Sequence, residues 1–137
     1  MSAPSPLELT HRWLKVLGDA DYDAWATLTS SDLVIKTPYA PPGLPKATEG
    51  RETCLKMARQ YGELLKKFEY LDVELHTTDD PELIMGTAHS EALTASGHRY
   101  ANQYCVLARV RNAKIVEYTE YFDPQRVVAA AEAEGMR

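Results

Sequence analysis

The chain has 137 residues, which suits one domain built around one core, here spanning residues 1–137. A net charge of −5 with scattered basic residues argues against generic nucleic-acid binding, which needs a basic surface. No apolar run approaches the roughly 20 residues that span a bilayer. Met1 to Pro6 lack the charged and apolar regions of a signal peptide, so no membrane partner and a cytoplasmic location are expected. Hydrophobic residues at 45% and charged residues at 26% are the balance of an ordinary globular protein.

Ser5-Pro6-Leu7-Glu8 predicts a helix start. Ser5 can cap, Pro6 suits the first helical position, and Glu8 stands where a capping box places its carboxylate. Leu9, Trp13, Val16 and Leu17 follow at helical spacing, and Gly18 is expected to end the run. A second short helix is predicted from about Tyr22 to Thr29, then a short strand at Leu33-Val34-Ile35. The four prolines between Pro38 and Pro45 require a loop, because proline lacks the N–H that a helix or ladder uses.

A long helix is predicted from about Thr48 to Phe68. Met57, Tyr61, Leu64 and Phe68 recur on one face, with Cys54, Ala58 and Leu65 beside them. Strands then follow at Tyr70–Thr77, Glu82–Ala95, His98–Arg109 and Ile115–Phe122. The turns between them are Asp79-Asp80-Pro81, Ser96-Gly97 and Arg111-Asn112-Ala113-Lys114. Asp123 and Pro124 open a final short helix. Segregated helices and antiparallel strands mean an α+β domain. A curved sheet wrapped over a long helix leaves a cavity between them, the usual place for a small ligand.

Alternation along His98–Arg109 puts Tyr100, Asn102, Tyr104, Val106 and Ala108 on one face. That mixture of phenol, amide and small apolar groups reads as a cavity wall. Arg99, Gln103, Cys105 and Arg109 fall on the other face. In the last strand Tyr118, Glu120 and Phe122 share a face, and Glu117, Thr119 and Tyr121 the opposite one. If the two aromatic rings point inward, Glu120 lies between them, desolvated and able to act as general acid or base. Otherwise it pairs with an arginine or faces solvent.

Three segments carry a family resemblance: Thr78-Asp79-Asp80-Pro81, Tyr100-Ala101-Asn102-Gln103-Tyr104, and the run from Lys114 to Pro124. They resemble SnoaL-like members of the NTF2-like superfamily, and most nearly the phenazine-biosynthesis A/B proteins, from Gly50 to about Phe122. The resemblance implies a cone: a strongly curved antiparallel sheet packed on a long helix, with two N-terminal helices and a short C-terminal one. It implies a homodimer through the outer sheet face, with Arg99, Gln103 and Thr119 there. Members include isomerases, dehydratases, epoxide hydrolases, cyclases and binders without activity. The proton-carrying glutamate of the phenazine A/B proteins falls on Glu120, and a tyrosine lining their pocket falls on Tyr100. Their ligand-binding helix histidine is replaced here by Met57, so the substrate is expected to differ.

The expected ligand is therefore a small, partly apolar organic molecule. Glu120 and Tyr100 are the catalytic candidates, and Asn102, Tyr104, Tyr118, Tyr61, Met57, Tyr39 and Trp25 the ligand-binding ones. Tyr39 and Tyr61 can reach the cavity or simply pack, and Trp13 and Trp25 suit either core or cavity lid. His11, His76, His89 and His98 show no metal-ligand spacing. No Gly-rich phosphate loop, GxSxG elbow or Cys/His pair appears, so neither metal nor cofactor is expected. Cys54 and Cys105 are expected as reduced, buried thiols. Isomerisation, dehydration, lyase or condensation chemistry and simple ligand binding both fit these residues.

Overall fold

The computed structural model describes residues 3–135. Helix α1 spans Pro6–Asp19. Ser5 caps it by accepting the Glu8 backbone N–H at 3.1 Å. The helix runs through Gly18 rather than stopping there, and it ends where Ala20 takes a left-handed φ of 55°. A 3₁₀ turn at Tyr22–Ala24 and a one-turn helix, α2 (Trp25–Leu28), replace the longer second helix. Thr29 already belongs to strand β1 (Thr29–Lys36).

The proline loop leads into a short strand, β2 (Ala47–Glu49), which pairs antiparallel with β1 and places Val34 opposite Glu49. Pairing to β1 holds Thr48 and Glu49 extended. Helix α3 therefore starts later than the apolar stripe suggests and covers Arg51–Leu64. It also ends earlier. Strand β3 (Leu65–Thr77) begins at once, with Leu65 and Lys66 paired to Thr94 and Leu93 of β4. A helical stripe is a weak prior, and the ladder to β4 overrides it at Leu65–Phe68. Strands β4 (Leu83–Thr94), β5 (Arg99–Arg111) and β6 (Lys114–Phe122) follow, then helix α4 (Pro124–Ala133), capped by Asp123.

All six strands form one sheet in the order β2-β1-β6-β5-β4-β3. Pairing is antiparallel except between β1 and β6, which run parallel and put Ile35 beside Tyr118. The expected all-antiparallel sheet thus gains one parallel seam. Its cause is topological: β1 and β6 are remote in sequence, and only three-dimensional packing brings them together.

The sheet bends mainly at β3. Its register to β4 shifts twice, and Lys67 and Asp72 carry φ of 54° and 50° next to those shifts. Extra residues of this kind kink a strand and increase its twist. Gly86 of β4 permits the tight approach there, since a Cβ on it would lie 2.1 Å from the Glu74 carbonyl oxygen. The bent sheet wraps α1 and α3. Trp13, Leu33, Val106, Ala108 and Ile115 are fully buried between them, and Trp13 packs edge-on to Trp25 and Tyr118.

The two faces of β5 match the alternation in the sequence. Tyr100, Asn102, Tyr104, Val106, Ala108 and Val110 are buried, and Arg99, Gln103, Cys105 and Arg111 are exposed. Cys105 is therefore not a core thiol, because its parity puts it outside; Cys54 alone is buried. Among the described residues no helix is long and apolar enough to cross a membrane.

Candidate functional site

A cavity of about 530 Å³ opens between the concave face of the sheet, α3 and the start of α4. That is a usual size for a small-molecule site. Six of the eight tyrosines line it: Tyr22, Tyr61, Tyr70, Tyr100, Tyr104 and Tyr118. Trp25, Met57, Phe68 and Phe122 add apolar wall, and Val127 brings α4 against one end. The lining thus offers hydrogen bonds with little charge.

Glu120 is the inward-facing acid of this lining; Asp19, also at the cavity, is exposed and paired with Lys15. Glu120 leaves β6 on the same side as Tyr118 and lies opposite Val106 on β5. It is half-buried, and the cavity is the open space that its side chain lines. Its Oε2 accepts two hydrogen bonds, from the Tyr70 and Tyr118 hydroxyls, each 2.7 Å long. Tyr118 sits two residues away on the same strand. Tyr70 comes from β3, with β5 and β4 between them in the sheet. Only a sheet curled into a cone lets the edge strand reach back across that gap.

Burial pushes the Glu120 carboxyl above its ordinary value, and the two phenol hydrogen bonds oppose the rise without cancelling it. No cation contributes. Burial and then the charge of Glu120 raise Tyr70 and Tyr118 well above the normal phenol range. Tyr61, Tyr100 and Tyr104 are also raised, with burial the first cause in each. Every phenol of this set keeps its proton near neutral pH. The group able to exchange one is Glu120.

Two further phenols, Tyr104 and Tyr100, are held by neighbours. Tyr104 and Ser90 share a hydrogen bond of 2.8 Å. Tyr100 accepts the Asn102 amide N–H at 2.8 Å. Asn102 itself does not line the cavity. Its amide also donates to the Asp123 carbonyl at 3.1 Å, and its Oδ1 accepts the Asp123 N–H at 3.0 Å and its neighbour Gln103's N–H at 2.8 Å. A side chain so fully satisfied fixes the β6–α4 corner and aims Tyr100, rather than meeting a ligand.

Tyr39 is also outside the site. It is 56% exposed and packs edge-on to Tyr121, which leaves β6 on the side away from Glu120. Tyr61, Met57 and Trp25 do line the cavity. Met57 accepts a hydrogen bond from the Thr48 hydroxyl on its sulfur at 3.4 Å, so this helix position presents a thioether and no ionisable group.

Tyr70 is the site residue that sequence reasoning missed. It was placed only at the start of a strand. The two register shifts in β3 scramble alternation on both sides of it, so parity gave no signal. Tyr22 was missed too: it reaches the cavity because Gly62 leaves room, a Cβ there falling 2.3 Å from the Tyr22 hydroxyl. Among the described residues no group of three or more His, Cys, Asp or Glu could hold a metal ion.

A profile of the SnoaL-like domain matches residues 10–118. An uncharacterized PhzA/B-like protein of Pseudomonas aeruginosa is 34% identical over 118 residues, covering 85% of this chain and 83% of that one. Among solved structures, an NTF2-like protein of Burkholderia xenovorans superposes with a TM-score of 0.77 at 15% identity, covering 95% of this chain and 98% of that one. The BvnE pinacolase of Penicillium brevicompactum gives 0.79 at 20% identity, with 95% and 94% covered. At these identities the structural likeness speaks to the fold alone.

Proposed function

The chain belongs to the SnoaL-like domain family, and from that premise we propose that it is an enzyme moving a proton on a small, partly apolar organic molecule. Glu120 is the general acid and base. The observation that carries this reading is its carboxyl at the wall of the 530 Å³ cavity, raised by burial and bonded only to phenols. A carboxyl poised this way can give a proton to a carbonyl or enol oxygen, or take one from an adjacent carbon, without leaving an uncompensated charge for long. Tyr100 and Tyr104 orient the substrate and donate hydrogen bonds to oxygen as charge develops there. Isomerisation, cyclisation and dehydration all fit this chemistry. That a pinacolase shares the fold supports a rearrangement step.

The test is turnover of a panel of small cyclic ketones and enones by the wild type and by Glu120→Gln. The variant is expected to keep the fold and ligand binding and to lose about a hundredfold or more in turnover, the usual scale for a missing general acid or base. Full activity in the variant removes the role. A second reading, a binding protein without turnover, draws support from Met57 and the largely uncharged lining. Tight binding without conversion across the panel would favour it.

The same family habit supports a homodimer through the outer sheet face. Arg99 and Gln103 lie exposed there with Met85, whereas Thr119 is already buried within the chain. Sedimentation at micromolar concentration is expected to give twice the 15.3 kDa chain mass. A single-chain mass rules the dimer out.

A further inference from the structure

Both phenol bonds at Glu120 end on one oxygen. Oε2 takes Tyr70 and Tyr118 at 2.7 Å each. A carboxyl oxygen has two lone pairs in its plane, so Oε2 is filled. Oε1 has no donor among the described residues and keeps surface in the cavity. A proton on Oε1 faces the ligand and keeps both phenol bonds, whereas a proton on Oε2 would force one phenol to turn round and accept.

The charges around the cavity narrow the ligand further. Tyr61 of α3, Tyr70 of β3, Tyr100 and Tyr104 of β5 and Tyr118 of β6 face the interior with Glu120, and all five are held neutral. Among the described residues no arginine or histidine lines the cavity, and its other acid, Asp19, is exposed and paired with Lys15. The cavity's lysines, Lys66 and Lys67, are exposed, and the Lys66 ammonium donates to the Gly62 carbonyl at 2.9 Å. A carboxylate bound beside Glu120 would be a buried, unpaired anion facing a second acid, which is heavily penalised. A neutral carbonyl would meet the Oε1 proton as an acceptor meets a donor.

We infer that Tyr70 and Tyr118 are positioning residues that leave Oε1 as the one proton-carrying atom of Glu120, and that the site takes an uncharged carbonyl or enol group there in preference to a carboxylate. This rests on Glu120 as proton carrier, and it adds which atom acts and which ligand chemistry fits. In the forward step the Oε1–H bond breaks toward the ligand oxygen and leaves the charge shared with Oε2, where the two phenols stabilise it. The return step takes a proton from the ligand back to Oε1.

Two measurements test it, and neither needs turnover. The first follows the Glu120 carboxyl by carbon-13 NMR of glutamate-labelled protein, assigned by its loss in Glu120→Gln. Because the phenols stabilise the ionised form, Tyr70→Phe and Tyr118→Phe are each expected to raise its midpoint, by up to about one pH unit. Midpoints that stay put or fall in both variants overturn the clamp. The second is binding to the wild type, read by quenching of tryptophan fluorescence. Here 2-acetylnaphthalene is set against 2-naphthoate, which are similar in shape and differ in charge. The ketone is expected to bind about tenfold tighter or better at neutral pH, a difference of roughly 1.4 kcal/mol. Equal affinity, a preference for the carboxylate, or no binding of either overturns the ligand class. If the clamp holds while Glu120→Gln keeps full activity, the proton-carrier role fails on its own and the geometry stands.

Discussion

Two glutamates on opposite faces of one sheet show how far surroundings set the chemistry of a side chain. Glu91 of β4 lies on the outer face, where the Arg99 guanidinium grips it with two hydrogen bonds. Those bonds and the arginine's charge hold its carboxyl below the usual range. Glu120 of β6 lies on the inner face, where burial dominates and its partners are phenols, and its carboxyl is raised. One group is a fixed charge in water. The other is a proton carrier in a cavity. The outer face repeats its pattern at Arg109–Asp80 and Arg111–Glu82. Among the described residues the inner face holds no such pair.

The largest expected effect comes from breaking the division itself. Val106 is fully buried on the inner face of β5, beside exposed Cys105 on the outer. Val106→Asp puts a carboxylate into the core without a partner and is expected to cost about 4 kcal/mol or more, read as loss of a cooperative urea transition. Cys105→Asp, one residue away on the outer face, is expected to keep a cooperative transition, and any loss beyond about 0.5 kcal/mol would read on the dimer contact proposed for that face rather than on the core.

The pH dependence of stability sharpens the contrast next. The folded value of Glu120 lies above its unfolded one. Its contribution is fully present below the ordinary glutamate range and is lost as pH rises through the raised value. Glu91 is the reverse: its contribution is present above the ordinary range and is lost as pH falls through the lowered value. Glu120→Gln is therefore expected to flatten the loss of melting temperature as pH rises above the ordinary glutamate range, and Glu91→Gln a smaller loss as pH falls below it. The exposed pair is worth little because solvent screens it. Interchanged slopes would mean the two environments are misassigned.

The smallest effect is chemical. Cys105 is exposed, while Cys54 is buried and its thiol raised by that burial. At a chain concentration too low for the proposed dimer, one equivalent of Ellman's reagent is expected to react fast with the native chain, and the second only in denaturant. Two fast equivalents would open the core around α3.

Much of this architecture is legible in the residues. Ser5, Pro6 and Glu8 announce α1, Asp123 and Pro124 announce α4, and strict alternation in β5 separates wall from surface. Alternation in β6 likewise sets Tyr118, Glu120 and Phe122 on one side, and all three line the cavity. What stays hidden depends on distant pairing. The ends of α3 are cut by ladders to β1 and β4 that local spacing does not encode. Tyr70 reaches Glu120 only because bulges and the buried Gly86 curl the sheet. Asn102 has the polarity of a ligand-binding residue, but the Asp123 backbone, the Gln103 N–H and the Tyr100 hydroxyl together claim its whole amide. Polarity on an inward face marks a candidate, and only the count of its bonds says whether anything is left for a ligand.

The central claim is that Glu120 carries an exchangeable proton in the cavity while Glu91 on the outer face stays ionised. One carbon-13 titration of glutamate-labelled wild type tests it directly, with Glu120 and Glu91 assigned by their glutamine variants. The account predicts a Glu120 midpoint above the ordinary glutamate value of about 4.3 and a Glu91 midpoint below it. A Glu120 that titrates at or below that value would contradict the claim.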